Sequence, residues 1–515
     1  MAGSNNPRKI PPAAIVTALT AYVLLVVGYH PDVEDGGLYI AGIKRLLHPA
    51  LYPHGTEFVT EHLRFSLFAP LVAGLIHATR LSLDWVLLLL YLASIWATLY
   101  AGWMIAVRTV DTLEGRWGAV TLLACWLSLP IAGTSLMLMD PYVTARSITL
   151  PCSLIALAGI LDLLRAPHAG PVAARRTKAW ALTTIPLILA AVLHPLMAGY
   201  ALAGVLLLAC FRANSPDLRR QGPIVLFAAA LLAATVLQSA APPESADYLR
   251  VALTRYYWFP GQWELYERIG LAAPLALIGW LSTRREDSAW KALGRMALAL
   301  AGIALLIASI FARPSLATHL AARMQPLRSY QTIYLVMILM LGAWAGETLL
   351  KRSAWRWLAL LAGFGGLLFF VQRNVFPASA HLELPWRQPR NPWVRAFVWT
   401  RENTPQDALF AMDAHYITRD GEDAQSFRAI AERSALPDYS KDGGEASITP
   451  GLTPQWVVGQ AAQTDLDRLS DEARIARLRP LHVDWLILRA GSQTAFPCPY
   501  TNDTVKVCRL PTSNP

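Results

Sequence analysis

The stretch Asp32-Val33-Glu34-Asp35-Gly36-Gly37-Leu38-Tyr39 follows shortly after the first apolar run of membrane length in this 515-residue chain. It places three carboxylates and two glycines where a helix has just left the bilayer. Carboxylates held at a membrane surface can take a proton, bind a cation or hold a sugar hydroxyl. Two interpretations are open at this point: the stretch is part of an active site, or it is a polar loop.

The composition predicts a membrane protein with a soluble domain at its end. The chain is 54% hydrophobic and only 16% charged, whereas soluble domains carry roughly a quarter charged residues. Apolar runs of near-spanning length recur through residues 1–376, which predicts an all-α polytopic bundle of about eleven transmembrane helices. Residues 377–515 turn to short β-like runs and mixed charge, which predicts a soluble α/β domain with strands at 408–412, 485–488 and 505–510 and a helix at 464–476.

The segment 65–79 decides the topology. It is short for a crossing and contains Pro70 and His77. If it crossed, the basic loops that follow it would no longer share one side, so the positive-inside rule predicts a helix lying on the outer surface. The predicted spans are then 10–29, 84–106, 117–138, 143–164, 179–193, 195–212, 223–241, 268–283, 290–311, 332–349 and 354–372.

The basic residues also give the orientation. The loop 165–178 carries Arg165, Arg175, Arg176 and Lys178 without any acid, and Arg8 and Lys9 precede the first span. Loops rich in Lys and Arg stay in the cytoplasm. We therefore expect an integral protein of a bacterial inner (plasma) membrane, with a cytoplasmic N-terminus and a periplasmic C-terminal domain. Because the net charge of +10 is concentrated in loops between spans, no nucleic-acid partner is expected.

Two cysteines lie in the soluble part, Cys498 and Cys508, on either side of a turn and a strand. A disulfide between them fits an oxidising compartment. The alternative is two unrelated thiols.

A second acid stands in the next outer loop, Met139-Asp140-Pro141-Tyr142. Proline is favoured as the first residue of a helix and aspartate as its N-cap. The sequence therefore predicts that the next helix begins at Pro141 with Asp140 as its cap, either as the whole role of Asp140 or in addition to a role in the site.

An outer basic loop, 313–331, carries Arg313, Arg323 and Arg328 and no acid. A purely basic outer loop runs against the topogenic trend. An anionic ligand such as a lipid phosphate is the simplest explanation, and an ordinary contact with lipid headgroups is the alternative.

This layout resembles the GT-C superfamily of membrane glycosyltransferases, which includes protein O-mannosyltransferases, aminoarabinose transferases and oligosaccharyltransferase catalytic subunits. Those proteins have a cytoplasmic N-terminus, an acidic motif just after the first span and a second acidic position in the next outer loop. Here Asp32-Val33-Glu34-Asp35 matches the first motif and Asp140 the second. The resemblance covers about residues 10–372 as architecture and does not select a subfamily.

The resemblance implies transfer of a sugar from a polyprenyl-phosphate donor to an acceptor that is a lipid, a polysaccharide or a protein. Asp35 is the first choice for the catalytic acid, because Gly36-Gly37 lets backbone and ligand approach closely beside it. Glu34 is the second choice, and Asp32 stays open. Asp35 and Asp140 are also candidate ligands of Mg²⁺ or Mn²⁺; no other cofactor is expected. The candidate substrate-binding residues are Arg328, Arg323, Arg313, His194, Tyr39 and Arg146.

Two other functions stay open: a transporter or lipid flippase, and a non-catalytic scaffold or receptor on a GT-C-like fold. Membrane lipids are expected partners in each case. The polar segment Tyr439–Gly444 is interpreted first as a solvated loop, and alternatively as a loop that reaches the active face.

Overall fold

The computed structural model describes residues 10–164 and 172–511. Arg8, Lys9 and Arg165, which contributed to the predicted orientation, lie outside the described residues. The helices before the C-terminal domain are α1 (Pro12–Val27), α2 (Glu34–Leu47), α3 (Glu57–Thr60), α4 (Phe68–Thr79), α5 (Leu83–Thr109), α6 (Leu113–Cys125), α7 (Ala145–Leu163), α8 (Val172–Leu193), α9 (Pro195–Arg212), α10 (Pro216–Ala240), α11 (Ala246–Leu253), α12 (Leu265–Ser282), α13 (Ser288–Phe311), α14 (Leu320–Arg323), α15 (Tyr330–Ala345) and α16 (Ala354–Val375).

The chain is an integral membrane protein. In the described part of the chain, eight helical runs are long and apolar enough to cross a membrane: α5, α7, α8, α9, α10, α13, α16 and the run Leu320–Leu350 that contains α14 and α15. The other three predicted spans are also helical, as α1, α6 and α12, but they are shorter or less apolar. The bundle of apolar helices is thus confirmed, with eight of the predicted eleven spans meeting the criterion by length and composition.

The predicted span 117–138 is wrong in its second half. Helix α6 ends at Cys125, and the chain then forms a short antiparallel pair, β1 (Pro130–Ile131) with β2 (Leu136–Met137). Proline at 130 disfavours helix in the residue before it, and Gly133 takes a positive φ of 62° in the turn. The apolar character of this segment serves burial inside the protein rather than contact with lipid.

Helices α2 to α4 leave the bundle and return to the same end of it. The Tyr91 hydroxyl near the start of α5 donates a hydrogen bond to the carbonyl of Gly28 at the end of α1, at 3.0 Å. Helix α4 has only 12 residues and is bent by 95° from the helical segment Glu57–Phe65 before it. Both observations fit the predicted surface position of 65–79, because the chain need not cross between α1 and α5.

The opposite end of the bundle carries basic residues that pair with acids from neighbouring loops. Arg352 binds Glu114 at 2.7 Å, and Arg285 binds Glu347. These pairs bring the connections after α12 and α15 together with the start of α6. They fit the prediction that the basic loops share one side of the membrane.

Helix α6 packs closely against α15, the helix that begins just after Arg328. A Cβ atom on Gly118 would lie 2.2 Å from the carbonyl oxygen of Gly342, and one on Gly346 would lie 2.2 Å from the carbonyl oxygen of Glu114. Glycine at such an interface lets two membrane helices approach without side chains between them. This contact fixes α15 against α6.

The C-terminal domain is a mixed α/β unit. Its helices are α17 (Pro392–Asn403), α18 (Phe427–Ala431), α19 (Lys441–Ile448), α20 (Thr453–Gln463) and α21 (Asp471–Leu478), and its strands are β3 (Leu409–Met412), β4 (Ser434–Ala435), β5 (Trp485–Arg489), β6 (Tyr500–Thr501) and β7 (Val505–Arg509). The strand order is β4-β3-β5-β7-β6. Strand β3 is parallel to β4 and β5, whereas β7 is antiparallel to β5 and β6. The three predicted strands are confirmed as β3, β5 and β7.

The predicted helix at 464–476 is confirmed only in its second half, which lies in α21. Helix α20 ends before Thr464, and Asp465 takes a left-handed φ of 58° that stops the helix. Helix α21 begins only at Asp471, after the Ser470 side chain accepts a hydrogen bond from the backbone of Ala473 at 3.3 Å. Serine at this position is a strong N-cap, and it outweighs the continuous helical pattern in the sequence. A disulfide joins Cys498 to Cys508 of β7.

The domain packs onto the segment that follows α1. The backbone of Tyr29 accepts from Glu383 at 2.9 Å and donates to His381 at 3.0 Å. The Lys44 side chain on α2 donates to the carbonyl of Ala429 at 2.8 Å and pairs with Glu432 at 2.7 Å. Helix α2 is therefore held between the bundle and the domain.

We predict that Gly37→Ala weakens this packing. A Cβ atom on Gly37 would lie 2.1 Å from the Cβ of Ser426, and overpacking of this kind costs about 1–3 kcal/mol. The variant should unfold at a lower temperature, and the C-terminal domain should be cleaved faster by trypsin. Gly74→Ala on α4 is the control, because a Cβ there meets nothing within 4 Å. Equal stability of the two variants would contradict the close approach at Gly37, and Ser426→Gly should restore part of the loss.

Candidate functional site

The acidic stretch forms the first turn of α2 rather than a loop. Glu34 and Asp35 are the first two residues of the helix, and the Asp35 side chain is 33% exposed. The two glycines after Asp35 are buried: a Cβ atom on Gly36 would lie 2.3 Å from the carbonyl oxygen of Pro31, and one on Gly37 would meet Ser426. The glycines are thus explained by contacts within the protein, and the approach of a ligand beside them stays a prediction.

Asp140 does not cap a helix. Helix α7 begins at Ala145, and the backbone N–H of Thr144 before it donates to Ser147 Oγ at 3.1 Å. The backbone N–H of His30 donates to the carbonyl of Pro141 at 2.8 Å and holds this segment against the end of α1. This long-range contact overrides the local Asp-Pro helix signal. The Asp140 carboxylate is therefore available to other partners.

One guanidinium joins the two acidic positions. Arg146, in the first turn of α7, donates from Nη1 to Asp35 Oδ2 at 3.0 Å and from Nη2 to Asp140 Oδ2 at 3.0 Å. The Arg146 residue is 7% exposed. Breaking a buried ion pair by removing one partner is costly because the other charge stays uncompensated. Arg146 thus holds both carboxylates in place.

A second cation comes from the C-terminal domain. Lys441 Nζ lies 3.3 Å from Asp35 Oδ1 and also pairs with Glu34. Beside it, Asp442 is 1% exposed and pairs with Arg428 at 2.7 Å. The first interpretation of 439–444 as a solvated loop is wrong, because this segment starts α19 and reaches the acidic stretch. Sequence reasoning noticed the segment but lacked a local signal that assigned Lys441 to the site.

Arg328 is the third cation, and one of its nitrogens has no hydrogen-bond partner among the described residues. Arg328, in the turn before α15, interacts electrostatically with Arg146, Asp35 and Tyr257. Its Nε is buried and has no partner among the described residues. A buried donor left unpaired is unfavourable, so an anionic oxygen that accepts from this group would be bound favourably.

His194 and Tyr39 are two predicted substrate-binding residues that interact electrostatically with Arg146 and Asp35. Burial lowers the pKa of His194 to about 3, and the charges of Arg146 and Arg328 add to this effect. His194 is therefore neutral at physiological pH. The Tyr39 ring packs edge-on against Phe68, with 5.2 Å between ring centroids. The charges of Asp35 and Arg146 act on the Tyr39 hydroxyl.

The structure does not bring the other three predicted residues to this cluster. Asp32 is half-buried beside Lys44 and Glu383; burial raises the pKa of Asp32 to about 7. Arg313 is exposed and donates to the carbonyl of Ser309 at 2.7 Å. Arg323 donates to the carbonyl of Ile448 in the C-terminal domain at 3.3 Å. We therefore separate these residues from the candidate site.

The charges around Asp35 favour its ionised form. Burial raises the pKa of the Asp35 carboxyl, but the cations of Lys441, Arg146 and Arg328 outweigh this effect and bring the pKa below its ordinary value. Asp140 differs, because burial raises its pKa and Arg146 opposes the shift. Asp35 is thus ionised at physiological pH.

A further acid in the site was missed by sequence reasoning. Glu445, on α19, is 6% exposed and lies near Asp442, Asp35 and Glu61. Burial raises the pKa of Glu445 to about 8, and the three neighbouring carboxylates add to this effect. Glu445 is therefore protonated at neutral pH and can donate a hydrogen bond.

Asp35 and Asp140 do not fit a divalent metal in this arrangement. Both oxygens of Asp35 bind protein cations, and the same guanidinium occupies Asp140. Divalent metals need several oxygen ligands around them. Among the described residues, no group of three His, Cys, Asp or Glu side chains is placed to hold a metal ion.

Comparison with known proteins finds similar solved structures but no related sequence. No protein-family model matches the chain, and no curated protein matches it in sequence. The chain is similar to the oligosaccharyltransferase of Archaeoglobus fulgidus tethered with an acceptor peptide, with 12% identity and a TM-score of 0.49, over 93% of this chain and 68% of that chain. It is also similar to the archaeal oligosaccharyltransferase AglB of the same organism in complex with an inhibitory peptide and a dolichol-phosphate, with 12% identity and a TM-score of 0.45, over 93% and 69% of the two chains.

A third similar structure is the apo form of the Archaeoglobus fulgidus oligosaccharyltransferase, with 10% identity and a TM-score of 0.47, over 93% of this chain and 70% of that chain. The three similar structures are of the oligosaccharyltransferase type that the sequence resemblance named, and the subfamily stays open. At these TM-scores and identities, no residue role and no activity is taken from these structures.

We predict that Glu445→Gln changes how stability depends on pH. In the native protein Glu445 stays protonated up to about pH 8, whereas in the unfolded chain it ionises near 4.5. Its stabilising contribution is therefore complete below 4.5 and is lost as the pH rises towards 8, with a slope of up to about 1.4 kcal/mol per pH unit. Gln cannot ionise, so the variant should gain stability relative to the wild type as the pH rises.

The measurement is the melting temperature of both proteins in detergent between pH 5 and pH 9. Glu402→Gln is the control, because the Glu402 side chain is 62% exposed and its variant should follow the wild-type profile. Parallel profiles for Glu445→Gln and the wild type would contradict the raised pKa.

Proposed function

We propose that the chain is a membrane glycosyltransferase that moves a sugar from a polyprenyl-phosphate-type lipid donor to an acceptor at the face that carries the C-terminal domain. The observation that supports the proposal is the joining of Asp35 and Asp140 by Arg146, at 3.0 Å to each carboxylate, with the charge of Arg328 also acting on Asp35. An ionised carboxylate and an arginine with an unpaired buried donor thus belong to the same set of interacting charges. Catalysis of this transfer needs a base for the acceptor and a cation for the departing phosphate.

The chemistry is a displacement at the anomeric carbon of the donor sugar. The acceptor's nucleophilic atom forms a bond to that carbon, and the bond from the carbon to the phosphate oxygen breaks. The polyprenyl phosphate leaves with the bonding electrons, and Asp35 receives the proton that the acceptor loses. Arg328 stabilises the negative charge that builds on the phosphate, because its Nε is buried and has no hydrogen-bond partner among the described residues.

The remaining residues have supporting roles in this proposal. Arg146 orients Asp35 and Asp140 through the two 3.0 Å contacts. His194 is neutral and Tyr39 is protonated, so both can hold sugar hydroxyls by hydrogen bonds. The phosphate site must be at the membrane surface, because the lipid tail of the donor stays in the bilayer. The turn that carries Arg328 meets this requirement, since it immediately precedes α15.

The location follows from the charge distribution. Basic residues such as Arg285 and Arg352 lie at the end of the bundle opposite to the site. By the positive-inside rule this end faces the cytoplasm, so the site and the C-terminal domain face outward. We place the protein in a bacterial inner membrane, with the domain of residues 377–515 in the periplasm. The acceptor is a lipid, a polysaccharide or a protein that reaches the site beside α19.

We predict that Asp35→Asn lowers sugar transfer at least about 100-fold, because general base catalysis contributes 10²–10⁴-fold. Arg328→Gln should lower it by about the same factor through loss of charge stabilisation. The assay is incorporation of radiolabelled sugar from a polyprenyl-phosphate sugar into membrane fractions, with gel filtration to show that each variant is folded.

Asp32→Asn and Arg313→Gln are matched controls, since they make the same chemical changes at residues outside the cluster. Both should keep transfer within about twofold of the wild type, as expected for substitutions away from special features. Full activity of Asp35→Asn would defeat the proposal. Movement of the lipid across liposomes without a covalent product would favour the transporter or flippase hypothesis instead.

A further inference from the structure

We infer that Arg146 and Lys441 act as built-in cations at the acidic pair of Asp35 and Asp140, in the place where a divalent metal would otherwise bind, so that the site works without a metal ion. This inference rests on the proposed function for its catalytic meaning. The contacts of Arg146 and Lys441 with the acidic pair do not depend on the reaction. They can therefore be tested by measuring whether the protein binds a metal ion.

Arg146 binds both carboxylates of the acidic pair. A single guanidinium spans carboxylates from two different elements, at 3.0 Å to each. This is the task of a bridging metal, which binds carboxylates from separate segments and fixes the distance between them. Because Arg146 belongs to the first turn of α7 and is buried, it is not free to leave the pair.

Lys441 binds the second carboxylate oxygen of Asp35. Its Nζ lies 3.3 Å from Oδ1, while Arg146 binds Oδ2, so each oxygen of Asp35 has a cationic partner. Lys441 is held in turn by its helix, because the neighbouring Asp442 is paired with the buried Arg428 at 2.7 Å. The C-terminal domain thus supplies one of the charges of the site.

The negative and positive side chains of the cluster balance one another. Glu34, Asp35 and Asp140 are matched by Arg146, Lys441 and Arg328 in the same cluster. Because the three cations offset the three carboxylates, the cluster has no excess negative charge to attract a dication, and a metal ion would have to displace Arg146 and Lys441 from Asp35. The buried Nε of Arg328, which has no partner among the described residues, is still available to an anionic oxygen. The cluster is therefore suited to an anionic ligand without a metal to mediate its binding.

The test compares Mn²⁺ binding by the full-length wild type with two variants after treatment with EDTA. Electron paramagnetic resonance counts free Mn²⁺, and the melting temperature reports stabilisation by bound ion. We expect no stoichiometric binding by the wild type at millimolar Mn²⁺. Arg146→Met frees Asp35 and Asp140 and should gain a site at least tenfold tighter, with a higher melting temperature in Mn²⁺.

Lys441→Met is the second variant, which keeps the experiment decisive if Arg146→Met does not fold; it should also bind Mn²⁺ more tightly than the wild type. Arg313→Met removes an exposed cation away from the cluster and is the matched control. Stoichiometric Mn²⁺ binding by the wild type that is lost in Asp35→Asn would overturn the inference. Failure of both variants to gain Mn²⁺ affinity would overturn it as well.

These outcomes are separate from those of the proposed function. If no sugar is transferred from any polyprenyl-phosphate donor, the proposed function fails while the metal-binding result still stands. If transfer occurs and is abolished by EDTA and restored by Mn²⁺, the proposed function holds and the inference fails. Transfer that persists unchanged in EDTA, together with Mn²⁺ binding by the variants alone, supports both.

Discussion

The contact between Arg146 and the carboxylates of Asp35 and Asp140 is the interaction on which the site depends. It joins the helix after the first span to the segment before α7, two parts of the chain that are far apart in sequence. A buried charge without a partner is too costly to keep. Each of the three residues therefore requires the other two, and together they fix how α2 lies against the bundle.

The C-terminal domain is part of the same arrangement. Lys441 contacts Asp35, and Gly37 leaves room for Ser426 of the domain. The domain is consequently neither a separate module nor a simple cover, since its position determines the charge around Asp35. An acceptor that contacts α19 on its way to the site would also contact the helix that holds Lys441.

The sequence predicted that Asp35 and Asp140 lie at the same end of the bundle, because the positions of basic loops along the chain indicate which ends of the spans lie together, and the structure joins both carboxylates through Arg146. The sequence did not predict where α2 and α7 begin. The Asp140-Pro141 pair is a good local start signal, but a hydrogen bond from His30, more than a hundred residues earlier, holds this segment out of a helix. Likewise the sequence left Asp32 open beside Asp35 as a catalytic candidate, but α2 begins between them and their carboxylates have different neighbours. Lys441 could not be assigned, because its partner in space is set by how the domain packs.

Under the proposed function, the same cations that lower the pKa of Asp35 link its strength as a base to the presence of the donor. Without a ligand, Lys441 and Arg146 stabilise the ionised form of Asp35 and make it a weak base. A phosphate that binds beside Arg328 brings negative charge close to these cations and competes with Asp35 for them. Nearby negative charge raises the pKa of a carboxyl group, so Asp35 becomes a stronger base when the donor is bound. Proton removal from the acceptor is then favoured only when the sugar to be transferred is in place.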